Sequence, residues 1–136
     1  MKRTVVVWLQ RHLINPVTTR LVLRGRLPGT ALIETTGRRS GLARVTPIGN
    51  GLTDDGTTFW IVAEHGEHAS YVRNLEQHPE VRVFVNSIWR RGRATVLTDD
   101  DPRERLARID NPSNAAAVRR FGTELMTVRV DLEPAD

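Results

Sequence analysis

The extended segments of this chain are joined mostly by turns, short loops and short helices rather than by long helices, and this limits the possible architectures more than any other feature. Ala31–Thr36 and Arg44–Ile48 are separated by a glycine-bracketed turn, Gly37 to Gly41. Asp54-Asp55-Gly56, a strong hairpin signal, leads into the β-branched and aromatic run Thr57–Ala63. Val81, Val83 and Val85 alternate with Arg82, Phe84 and Asn86, and a turn near Asn86-Ser87 opens a long strand, Ile88–Leu97. Leu125–Leu132 supplies a last strand. Parallel neighbours need a crossover of about a dozen residues or more, so these links predict an antiparallel sheet or small barrel rather than a doubly wound parallel sheet. Pro47 cannot donate to a ladder and marks a strand end or an edge.

Helices flank these strands. Residues 4–24 read as helical: Val5, Trp8, Leu9, His12 and Leu13 follow an amphipathic spacing. Asn15-Pro16 breaks the run, and a second turn or two follows with Val17, Leu21 and Val22 apolar. Such a segment either docks on the core or lies as a basic amphipathic helix on a membrane surface, making a weak contact there. Ala69, Val72 and Leu75 share one face of a short helix that ends at His78-Pro79. Asp100 or Asp101 can cap a helix with Pro102 in its first turn and Arg103 to Ile109 in its body. Asn111-Pro112-Ser113 starts another, through Ala115 to Phe121-Gly122. With 136 residues, no internal repeat and no low-complexity tract, one domain over 1–136 is expected, with 1–27 as a helical segment packed on or beside it.

Composition excludes several chemistries. The chain has no cysteine, which removes disulfides, thiolate metal sites and cysteine nucleophiles. Of its 20 basic residues only Lys2 is lysine, and the formal charge is +4. Guanidinium forks match phosphate and carboxylate oxygens, yet a charge of this size is modest for a dedicated nucleic-acid binder. The run Val5–Leu9 is far short of the roughly 20 apolar residues of a spanning helix, and Gln10, Arg11 and His12 interrupt it too early for a signal peptide. The expected location is the cytoplasm.

Four stretches could carry chemistry. Thr35-Thr36-Gly37-Arg38-Arg39-Ser40-Gly41, with Arg44 close behind, offers backbone N–H groups, guanidiniums and hydroxyls to an anion; the ordinary alternative is an exposed hairpin with solvated arginines. Its glycine spacing is neither that of a P-loop nor that of a dinucleotide fingerprint. His65 and His68, with Glu64 and Glu67, resemble metal ligands, but no distant third ligand stands out, and solvent-facing or capping histidines are favoured. Tyr71, the only tyrosine, is either a core residue or a ring-stacking, proton-donating one. Arg90, Arg91 and Arg93 beside Trp89 form either a phosphate-contacting patch or a solvated sheet face. No serine–histidine–acid set and no carboxylate pair stands out, which fits a redox protein whose cofactor supplies the reactivity.

In their order, Leu32 to Gly41, Arg44-Val45-Thr46-Pro47, Trp60-Ile61-Val62-Ala63, His68 to Leu75 and Pro79-Glu80-Val81 resemble the deazaflavin (F420)-dependent nitroreductase family of split β-barrel flavin and deazaflavin oxidoreductases. The similarity spans about residues 12–133. It implies a mainly β, α+β fold: an antiparallel, FMN-binding-like split barrel with an N-terminal helix. It implies coenzyme F420 as cofactor, with FMN the less favoured choice, and hydride transfer to a small quinone, nitro or enone acceptor. Arg38, Arg39 and Ser40, set between Thr36-Gly37 and Gly41, would then hold the cofactor's phosphate or glutamate carboxylates. Arg44, Thr46 and Pro47 would add further contacts, Ala63, Glu64, His65 and Gly66 would pass its ring and linker, and Tyr71 and Asn74 would belong to the aromatic helix motif, Tyr71 as the catalytic residue. Two departures stand at the ring end: Glu64 and His65 replace a serine and a lysine or small residue, and Tyr71 replaces a tryptophan. A non-catalytic relative holding F420, FMN, haem or a lipid-like ligand is the alternative, as a monomer or a homodimer.

Overall fold

The computed structural model describes residues 15–63, 70–109 and 125–134. The elements are α1 (Asn15–Leu23), β1 (Thr30–Thr36), β2 (Ala43–Gly49), β3 (Thr58–Ala63), α2 (Ser70–Gln77), β4 (Glu80–Val85), β5 (Ile88–Leu97), α3 (Pro102–Arg108) and β6 (Met126–Leu132). The expected helices over 4–14 and 111–122 and the loop 64–68 lie outside the described residues. Asn15-Pro16, expected to break a helix, instead opens α1. A proline suits a first turn, where its missing N–H has no partner to lose.

Among the described residues the six strands form one antiparallel sheet in the order β2-β1-β4-β5-β6-β3. The sheet curls, and the segment that follows β2 folds back onto β3 at one corner. There Trp60 N–H donates to the Gly51 carbonyl at 2.9 Å, Thr53 N–H donates to the Thr58 carbonyl at 2.9 Å, and Leu52 bridges Phe59. Only glycine permits this approach: a Cβ on Gly51 would stand 1.9 Å from the Trp60 carbonyl oxygen. Pro47 lies on end strand β2, as its missing donor requires. Asn86 and Ser87 both take positive φ (52° and 66°), the backbone of a two-residue hairpin whose twist matches its strands.

Strand alternation builds the interior. Ala31 and Ile33 of β1, Phe59 and Ile61 of β3, Val81, Val83 and Val85 of β4, and Val128 and Val130 of β6 form one buried cluster, which α2 joins through Leu75. The residues between them face outward, and two helices cover part of that face. On α1, Val22 packs with Leu32 and Phe84, while Leu106 of α3 packs with Val62. Phe84 therefore breaks the expected polar alternation of β4 because a helix shelters its side of the sheet. Asp101 caps α3, accepting from Arg103 N–H at 3.0 Å and Glu104 N–H at 3.3 Å.

Asp100 serves a different purpose. It accepts from Arg105 Nη2 at 2.9 Å and from Thr127 Oγ1 at 2.9 Å, and Arg105 lies 3.8 Å over the Trp60 ring. This stack fastens α3 to β3 and β6. The Arg105 hydrogen bond, aided by Thr127 and opposed by burial, holds the Asp100 carboxyl below its ordinary 3.8. A depressed carboxyl contributes stability that is present above its unfolded value and lost as pH falls through the folded one. Asp100→Asn is therefore expected to unfold at lower denaturant than the wild type at pH 7, with the gap closing as pH drops below 3.8. Gly51→Ala should cost about 2–3 kcal/mol in denaturant unfolding, because carbonyl backbone rather than a movable side chain fills the space.

Candidate functional site

The site is built where the β1–β2 connection meets the start of α2. Thr36 pairs with Ala43 and Thr35 with Arg44, leaving residues 37–42 as the tip. Gly37 N–H donates to the Leu42 carbonyl and Gly41 N–H to the Gly37 carbonyl, both at 2.8 Å, and Leu42 N–H donates to Ser40 Oγ at 3.2 Å. Both glycines serve this tight path. Gly41 has φ +70°, and a Cβ on Gly37 would meet Ser40 Oγ at 2.6 Å. The Ser40 oxygen accepts from the turn, which leaves its hydrogen to donate outward.

The two arginines of the tip part company. Arg39 is exposed, as is Arg44, whose Nε leans back to 3.7 Å from the Cβ position of Gly37. Neither forms an ion pair among the described residues. Arg38 turns inward instead. Its Nη1 donates to Asn74 Oδ1 at 2.9 Å, to Ser70 Oγ at 3.2 Å and to the Ser70 carbonyl at 3.4 Å. Its backbone N–H also donates to Asn74 Oδ1, at 3.2 Å. Asn74 is 4% exposed and donates through Nδ2 to Oγ1 of buried Thr35 at 3.4 Å.

The fold thus brings Thr36, Gly37, Arg38, Arg39, Ser40, Gly41 and Arg44 into one hairpin end and sets Asn74 against it. Tyr71 lies on the first turn of α2, beside Ser70, half-buried against the interior cluster. Thr46 and Pro47 are half-buried farther along β2, paired with Ile33 and Leu32. Ala63 is fully buried at the end of β3, paired with Met126. Glu64, His65 and Gly66 lie outside the described residues, as does the candidate metal pair His65 and His68. Among the described residues no group of three potential ligands is close enough to hold a metal.

Two partners were not singled out from the sequence, Thr35 as the acceptor for Asn74 and Ser70 as the acceptor for Arg38. A signal existed for Thr35, since it continues the inward series Ala31, Ile33 and would be a polar group in an apolar interior. None existed for Ser70. In the arginine cluster of β5, Arg90 donates to the Gly56 and Glu133 carbonyls, Arg93 pairs with Glu80 at 2.6 Å, and Arg91 is exposed.

Electrostatics favour the tip as an anion site. No acidic residue occurs from Thr35 to Thr53. The nearest, Glu34, is held by Arg82 through bonds of 2.8 and 2.7 Å, and Arg82 in turn lies 4.8 Å from the Trp89 ring. Opposite charge is thereby neutralised beside the tip, and Arg39 and Arg44 set the local field.

This curled antiparallel sheet has the split-barrel fold. It is similar to a solved F420-H2 dependent reductase (FDR-A) at 22% identity and a TM-score of 0.59, over 76% of this chain and 95% of that one. A protein described as a domain-swapped dimer matches at 20% identity and a TM-score of 0.60, over 94% and 98%. HutZ, a haem storage protein from Vibrio cholerae, matches at 16% and 0.56, over 87% and 90%. At these identities the likeness establishes the fold. No curated protein matches the chain. Residues 3–133 match the model of the F420H(2)-dependent quinone reductases, and the chain belongs to that family. It is an oxidoreductase whose cofactor is coenzyme F420. The donor set at the tip suits this cofactor: two exposed guanidiniums and a hydroxyl proton, in a stretch from Thr35 to Thr53 without acids, match the chemistry of a molecule with a phosphodiester and glutamate carboxylates.

Proposed function

We propose that this protein reduces a small quinone-type acceptor with F420H2, gripping the cofactor's anionic arm at the β1–β2 tip. Nitro and enone compounds are acceptors of the same electronic kind. The observation that carries the reading is the division of labour at the tip: Arg39 and Arg44 stand exposed in a stretch without acids, while Arg38 is committed to α2. When bound, reduced F420 supplies a hydride from its deazaflavin ring carbon.

The chain's own residues bind, orient and exclude water. Arg39 and Arg44 would donate to phosphate or carboxylate oxygens, and the Ser40 hydroxyl would give its proton to the same anion. Such contacts would fix the arm at one end, and α2 and the interior rim would then offer a bed for the ring. Tyr71 is the residue we assign to that ring. Half-buried on the first turn of α2, it has an apolar flank for stacking and a phenol that can pass a proton to the acceptor oxygen as the hydride arrives. Thr46, Pro47 and Ala63 would shape the walls, Ala63 through its backbone because its methyl is buried.

Two measurements test this. In equilibrium titrations Arg39→Ala and Arg44→Ala should each weaken F420 by about tenfold, the cost of one charge-assisted contact. In steady-state assays with a soluble benzoquinone, Tyr71→Phe should lower kcat by about 10²-fold with little change in the KM for F420H2. Tight binding of F420H2 with no hydride transfer to any quinone, nitro or enone acceptor would refute the acceptor assignment.

A further inference from the structure

The inward turn of Arg38 points to a role that the sequence motif conceals. An arginine in a glycine-rich tip is expected to face solvent and any anion there, as the exposed side chain of its neighbour Arg39 does. Here its guanidinium and its backbone N–H converge on one oxygen, Asn74 Oδ1, at 2.9 and 3.2 Å. Two further acceptors, the Ser70 hydroxyl and carbonyl, receive the same Nη1. The Asn74 side chain is buried, and its remaining donor reaches Thr35, a buried residue of β1 just before the tip. Asn74 therefore clasps the tip from two sides, by Thr35 below it and Arg38 within it. A buried polar group bonded on both its oxygen and its nitrogen is costly to rearrange.

We propose that Arg38 is a positioning residue: through Asn74 and Ser70 it latches the anion-binding tip to α2, so that the tip and the helix bearing Tyr71 form one rigid site. This rests on the reading that the tip holds the cofactor's anionic arm. The consequence is a chelate effect. With the latch closed, an arm held by Arg39 and Arg44 delivers the ring to a fixed distance along α2. With the latch open, the tip and the helix bind the two ends of the cofactor independently, and the gain from linking them is lost. Asn74 is neutral, so its removal leaves the charges at the tip intact and tests the latch without altering the anion field.

The experiment is fluorescence titration of F420, and of the deazaflavin riboside without phosphate or glutamates, on the full chain and its variants. Arg38→Ala and Asn74→Ala should each weaken F420 by about tenfold, and the double variant should be no weaker than the more damaged single one, since both remove the same latch. The riboside, which does not reach the tip, should bind Asn74→Ala within about twofold of wild type. Should Asn74→Ala fail to fold, Arg38→Ala combined with Ser70→Ala reads the same coupling at half-buried positions.

Additive losses in the double variant would overturn the latch, because Arg38 would then be touching the cofactor itself. Unchanged F420 affinity in Asn74→Ala would overturn it too, and so would equal weakening of F420 and riboside, the mark of general structural damage. Arg39→Ala separates the two readings. If it weakens F420 while Asn74→Ala does not, only the latch fails. If Arg39→Ala and Arg44→Ala both bind as wild type, the anion-binding tip itself is wrong.

Discussion

The close approach of Gly51 to Trp60 folds the segment that follows β2 back onto β3 in a curled sheet of six strands. The residues of the sheet's inner face converge on one cluster. The helices are arranged against that curled sheet. Leu75 of α2 is buried in the same cluster, and α1 and α3 shelter patches of the outer face. The requirement is steric: a Cβ at Gly51 would collide with a backbone carbonyl, which cannot move without breaking the corner.

The candidate site lies where the β1–β2 tip meets the helix that packs on the interior. One half is electrostatic: an acid-free tip carries exposed Arg39 and Arg44, and the nearby Glu34 is neutralised by Arg82. The other half is a helix whose first turn carries Tyr71. Between them stands a small polar network, Arg38, Asn74, Ser70 and Thr35, in surroundings that are otherwise apolar. Family membership gives the cofactor and the reaction class, and this network ties the tip to the helix that carries Tyr71.

Much of the fold was legible in the sequence because its signals are local. The alternation of Val81, Val83 and Val85 gives the buried face of β4, Asn86-Ser87 marks its turn, Pro47 marks the edge strand, and Asp101-Pro102 starts α3. What was not legible depends on long-range pairing. Asp100 and Asp101 are indistinguishable as caps until Thr127 and Arg105 claim the first of them. Arg38 and Arg39 are adjacent and chemically identical, yet acceptors 32 and 36 residues away draw one inward and leave the other in solvent. Periodicity carries no trace of such pairings, so the sequence marked the turn as a candidate but not which of its arginines faces solvent.

The most direct test of that assignment is a crystal structure of the complex with F420. The cofactor's phosphate or carboxylate oxygens are expected at about 2.7–3.0 Å from the guanidiniums of Arg39 and Arg44, with Arg38 still bonded to Asn74. Those oxygens lying elsewhere, on the Arg91 and Arg93 face of β5 for example, with the tip untouched, would contradict it.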